Sequence, residues 1–218
     1  MSLPAPSRRP ATPAQAWAEL VAGNARFREG ASDHPHQSVQ LREELAAGQT
    51  PYATVFGCSD SRVAAEIIFD QGLGDLFVVR TAGPIVDPGV LGTLEFGVEV
   101  LRTPLIVVLA HTSCGAIRAT LDAVAERSLP DGFLRDVVER IAVSLLTTRV
   151  QQSPDPDEVG LTHLRHVVSL VVDRSAAIRH RVEAGALAVV GARYDLTDGS
   201  AHAVTVVGDL GVRSLALE

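Results

Sequence analysis

Two cysteines and one histidine stand where the chain could gather them into a metal site. Cys58 closes an apolar run, YATVFG, His111 follows another, PLIVVLA, and Cys114 comes three residues after His111. Two thiolates and an imidazole suit zinc, and three protein ligands leave a fourth tetrahedral position for water, as in a catalytic rather than a structural site. Taken singly, each of these residues is more often a plain core residue than a ligand. Their joint placement at the ends of two expected strands favours the ligand reading. Asp60 and Arg62 follow Cys58 closely, with Ser59 and Ser61 between them. An Asp held by an Arg stays ionised and can accept a hydrogen bond from zinc-bound hydroxide, aiming its lone pair at an electrophile. Away from a metal such a pair would be a surface ion pair of little value.

For these residues to meet, positions 58 and 111 must lie at one edge of a sheet. From Tyr52 onward short apolar strands alternate with helices: YATVFG, a helix over 63–70, LFVVR, a helix over 89–101, PLIVVLA, and a helix from Cys114. That rhythm predicts parallel strands joined by helices, and sites in open α/β sheets form beyond the carboxyl ends of the strands. Two further helical stretches, 131–149 and 156–184, precede a strand at 186–195. A turn at Asp198-Gly199 then leads into AHAVTVV, so the last two strands read as a hairpin at a sheet edge. Upstream, Thr12-Pro13 opens a helix expected to run to Glu29, with Gly30 as its stop, and a shorter helix is expected over 38–47. The fold class is therefore α/β: a central, mainly parallel sheet flanked by helices, with an N-terminal helical extension and a C-terminal edge hairpin. Residues 1–11 are expected to form a mobile arm, and 12–218 a single catalytic domain.

Composition narrows the chemistry. All 19 basic residues are Arg, and the lack of Lys excludes phosphate-loop, Schiff-base and Lys-base enzymes together. The net charge of −7, with the arginines scattered, leaves no footprint for nucleic acid. No apolar run approaches the roughly 20 residues of a membrane span, and the first residues lack the apolar stretch of a signal peptide, so a cytoplasmic address is expected. Two cysteines fit a reduced compartment better than a disulfide framework. A redox pair of Cys58 and Cys114 finds little support, given their long separation and the intervening His111. His34, His36, His163, His166, His180 and His202 read as surface or capping histidines. His163 and His166, three apart on a helix, could at most take adventitious metal. Gly72-Leu73-Gly74 reads as a turn rather than a dinucleotide loop.

Four segments carry a resemblance: GCSDSRVAAEIIFD (57–70), FVVRTAG (77–83), GTLEFGVEVL (92–101) and AHTSCGAI (110–117). In order and spacing they resemble the β-class carbonic anhydrases, over about residues 14–208. The resemblance implies one Zn²⁺ per chain on Cys58, His111 and Cys114, with Asp60 and Arg62 as the catalytic dyad. It implies reversible hydration of carbon dioxide to bicarbonate and a proton by zinc-bound hydroxide. It also matches Gln37 to a substrate-binding Gln, and Phe77, Ala82, Phe96 and Gly115 to the substrate pocket. A homodimer or homotetramer is implied, with Gln37 reaching across the subunit interface. Phe96 stands where Tyr is common, and Thr81 where Asn is common. Some members carry a non-catalytic bicarbonate site built from a Trp, an Arg and a Tyr. Here Arg80 and Tyr194 match, but Val55 replaces the Trp, so that site is not expected. Two other readings of the same zinc site are hydrolysis of carbon disulfide or carbonyl sulfide, and a zinc-containing regulatory protein without turnover.

Overall fold

The structure is a computed structural model that describes residues 9–146 and 155–211. Five strands form one sheet: β1 (Ala53–Cys58), β2 (Leu76–Thr81), β3 (Leu105–His111), β4 (Ala188–Tyr194) and β5 (Ala201–Val207), in the order β2-β1-β3-β4-β5. The first four are parallel, and β5 pairs antiparallel with β4 at the edge, which is the expected hairpin. β1 is buried along its whole length and β3 at all but Ala110, because helices cover both faces. The sequence meets that demand with near-continuous apolar runs.

One face of the sheet packs around Trp17, Leu20, Val55, Phe69 and Val107, the other around Phe56, Ile106, Leu164, Val168 and Val189. Eight α-helices are described: α1 (Pro13–Arg28), α2 (Val39–Leu45), α3 (Ala65–Ile68), α4 (Pro88–Glu95), α5 (Gly115–Glu126), α6 (Leu134–Leu145), α7 (Pro156–Arg174) and α8 (Ala176–Glu183). Thr12 caps α1 by accepting from the Gln15 N–H, as the Thr-Pro start predicts.

Several boundaries differ from expectation for local reasons. The helix over 63–70 shrinks to one turn, since Asp70 takes a left-handed φ of 47° and spends its carboxylate on the backbone N–H groups of Asp33 and His34. The 89–101 helix loosens into a π-helical turn over Phe96–Val100. The 156–184 stretch is two helices, because Ser175 leaves helical geometry and accepts from the Ile178 N–H while donating to Glu95. Of the expected arm, residues 1–8 lie outside the described residues, as do 147–149 of the expected 131–149 helix. Arg9 is tied down by hydrogen bonds to Thr50 and to the Gly74 carbonyl.

Candidate metal centre

β1 and β3 are sheet neighbours, and Cys58 and His111 are their last residues. Cys114 is the N-cap of α5, so its sulfur lies at the positive end of a helix dipole. Between them Ser113 adopts a left-handed φ of 54°, which folds the chain back so that both ligands face one point. The donor atoms of Cys58, His111 and Cys114 all lie within 4.8 Å of one another, and all three residues are buried. This is the one such group of three or more among the described residues.

The chemistry of the set fits a divalent cation. His111 Nδ1 donates to the Thr112 carbonyl at 2.9 Å, leaving the Nε2 lone pair turned inward. That Nε2 is buried and has no hydrogen-bond partner, which is costly unless something electropositive is meant to meet it. Cys114 donating to Cys58 draws the Cys58 thiol down to about 4, and the resulting Cys58 thiolate, together with burial, pushes the Cys114 thiol above its ordinary value. Burial pulls the His111 imidazole down, but the adjacent Cys58 sulfur outweighs it and the net direction is up. A divalent cation held by the set would let both sulfurs be thiolates.

Asp60 is bound by its neighbour rather than by the cluster. Arg62 Nε donates to Oδ1 at 2.9 Å, Nη2 to Oδ2 at 2.7 Å, and the Arg62 backbone N–H to Oδ1 at 2.9 Å. This fork holds the Asp60 carboxyl well below the usual carboxylate range. Its Oδ2 lies 4.0 Å from His111 Nε2, so the carboxylate borders the ligand set. Phe77 and Phe96 meet with ring centroids 5.8 Å apart, and Phe96 is 45% exposed. Ala82 and Gly115 are exposed beside the ligand loops. Gln37 is exposed too, but it lines a separate concavity with Glu66 and Leu73 that contains none of the three ligands.

Residues 53–201 match the carbonic anhydrase family. The chain is 52% identical to carbonic anhydrase 2 of Mycobacterium tuberculosis over 199 residues, covering 91% of this chain and 96% of that one. The chain belongs to the β-class carbonic anhydrases. The solved structure of the β-carbonic anhydrase CcaA superposes with a TM-score of 0.67 at 27% identity, covering 87% of this chain and 95% of that one. One of two tetrameric β-carbonic anhydrases from Sordaria macrospora shares the fold at a TM-score of 0.66 and 23% identity, covering 86% and 95% of the two chains. As a carbonic anhydrase the chain is a lyase that hydrates carbon dioxide. The family is zinc-dependent, and the Cys58, His111 and Cys114 set could bind a metal. No helix among the described residues is long and apolar enough to cross a membrane.

The roles of several residues around this carbonic anhydrase site are not evident from the sequence. Arg80 donates from Nε to the Cys58 carbonyl at 2.9 Å and from Nη2 to the Asp60 carbonyl at 2.6 Å, fastening the loop that carries both. Asp157, in the first turn of α7, accepts from the Ser113 N–H at 2.9 Å and from Arg193 at 3.1 Å, clamping the His111–Cys114 turn. His163 corrects an expectation outright: it is 2% exposed, not a surface histidine or a site for adventitious metal. Its sequence signal was its place in the series Val159, His163, Leu164, Val167, Val171, all on the buried face of α7.

Proposed function

We propose that this carbonic anhydrase holds one Zn²⁺ per chain on Cys58, His111 and Cys114, and that Asp60 and Arg62 direct the attack of water on carbon dioxide. When bound, zinc supplies the Lewis acidity that lets a water ionise near neutral pH. The observation that carries the reading is the forked Asp60–Arg62 pair, whose Oδ2 borders His111 Nε2. With both carboxylate oxygens engaged by Arg62, Asp60 stays ionised and off the ligand set, and can accept the hydrogen bond that aligns the attacking water. Carbon dioxide needs little more than an apolar niche and a directed nucleophile. Phe77, Ala82, Phe96 and Gly115 would provide that niche.

Gln37 fits a role in the site of a neighbouring subunit, since in its own chain it lines a concavity apart from the ligands. A dimer or tetramer would supply that neighbour, and the tetrameric assembly of a Sordaria macrospora β-carbonic anhydrase of the same fold supports the reading. A cytoplasmic setting suits two cysteines kept as thiolates. The test is Asp60→Ala. It should keep stoichiometric zinc while carbon dioxide hydration falls by about 10- to 100-fold. Activity equal to wild type would remove Asp60 from the reaction.

A further inference from the structure

His163 lies on the face of α7 that packs toward the sheet and the ligand loops, and both its ring nitrogens are engaged. Nδ1 is 2.8 Å from Ser144 Oγ, and Nε2 is 3.1 Å from the Pro84 carbonyl oxygen. A carbonyl can only accept, so Nε2 carries the proton, and Nδ1 accepts from the Ser144 hydroxyl. One neutral tautomer satisfies the whole arrangement.

Pro84 is the middle of a tight turn: the Ile85 N–H donates to the Gly83 carbonyl at 2.9 Å, and the Thr81 hydroxyl donates to the same oxygen. Gly83 has φ +70°, and a Cβ there would come within 3.0 Å of the Ala116 Cβ and 3.1 Å of Ile141 Cδ1. The turn is thus packed closely against Ala116 and Ile141 at Gly83. Its outcome is one donor: the Gly83 N–H points at Cys58 Sγ, 3.4 Å away. His163 also shares a small cavity with His111 and Cys114, so it stands behind the ligand set without occupying it.

We propose that His163 is a positioning residue of the metal site, acting through the Gly83-Pro84-Ile85 turn on the sulfur of Cys58. An N–H···S bond fixes the direction of the thiolate lone pairs, and that direction decides how well the sulfur meets a metal. The bond is only as steady as the turn that carries it. Pinning the Pro84 carbonyl prevents the turn from rotating the Gly83 N–H away. The proposal rests on the reading that Cys58 is a zinc ligand.

Two substitutions separate the two ends of the imidazole. Gln can place an amide N–H where Nε2–H stands, keeping the bond to Pro84, whereas the shorter Asn can match only the Nδ1 side, keeping Ser144. The measurement is the rate at which the full-length, zinc-loaded protein gives up zinc to a chelating dye. His163→Gln should stay close to wild type, while His163→Asn should lose zinc about tenfold faster, the low end for residues that orient ligands. Melting temperatures of both variants are measured alongside, because a histidine that only packs α7 would change zinc release no more than its loss of stability accounts for. Equal rates in the two variants, or the reverse order, in a protein whose wild type holds zinc, would overturn this inference alone. A wild type that holds no zinc would overturn the zinc reading and this inference with it. Should His163→Asn fail to fold, the wild type loaded with an NMR-active cadmium isotope provides the check. Scalar coupling between cadmium and the Gly83 amide proton is expected, and its absence would overturn the proposal.

Discussion

Residue by residue, the ligands were the most legible part of the molecule and their supports the least. Cys58, His111 and Cys114 could be read because strand ends concentrate chemistry, and because cysteine is scarce in this chain. Asp157 and Arg193 could not, since their partners lie far off in sequence and exposed charges are common everywhere. His163 was misread because histidine is ambiguous between surface and core, and only its register with the valines of α7 marks it as buried. That burial has a measurable consequence. Removal from water, with the nearby His166 adding to it, pushes the His163 imidazole down to about 4. In the unfolded chain it titrates near its ordinary value of about 6.5. Between those values the unfolded state binds the extra proton, so stability falls as pH falls. The contribution is present above about pH 6.5, and about 3 kcal/mol of it is lost by pH 4. Chemical denaturation across that range should show wild type losing more stability than His163→Gln. Parallel stability curves for the two would contradict the assignment of a neutral, buried imidazole.

Among the elements, α7 matters most to the site. It carries Asp157 against the ligand turn and His163 against the Gly83-Pro84-Ile85 turn, and it packs on β3 and β4. Its close seat on the sheet depends on Gly191 in β4. A Cβ there would come within 2.7 Å of Thr205 Cγ2 and 3.0 Å of Val168 Cγ2. Gly191→Val must therefore push α7 outward. Overpacking of this kind costs about 1–3 kcal/mol, or several degrees of melting temperature in a chain of this size. The variant should also release zinc faster, since both clamps ride on the displaced helix. Melting that drops while zinc release is unchanged would show that α7 does not hold the ligand loops. The strands and the edge hairpin were legible from apolar runs and turn residues. The break at Ser175 was not, because Ser-Ala-Ala continues a helical composition and the cap is fixed by Glu95, 80 residues away.

For the whole molecule, Ile67, Phe96 and Val100 leave apolar surface uncovered, at 62%, 45% and 60% exposure. In the proposed assembly a neighbouring subunit would bury such surface. The interior bears on regulation. Val55 is fully buried in the same core as Trp17, and Arg80 is committed to the Cys58 and Asp60 carbonyls. Val55 stands where the Trp of a second bicarbonate site would be, and Trp17 is the single Trp of the sequence. Activity should therefore decline hyperbolically with added bicarbonate; a sigmoidal decline abolished by Arg80→Ala would contradict this. In the proposed reaction one zinc on Cys58, His111 and Cys114 drives carbon dioxide hydration. This is tested most directly by stripping the protein of metal and following stopped-flow hydration as zinc is returned. Activity should rise in proportion to zinc and level off at about one equivalent per chain, as three ligands with one open position require. Hydration that persists without zinc, or that levels off at another stoichiometry, would rule out a single catalytic zinc on these three ligands.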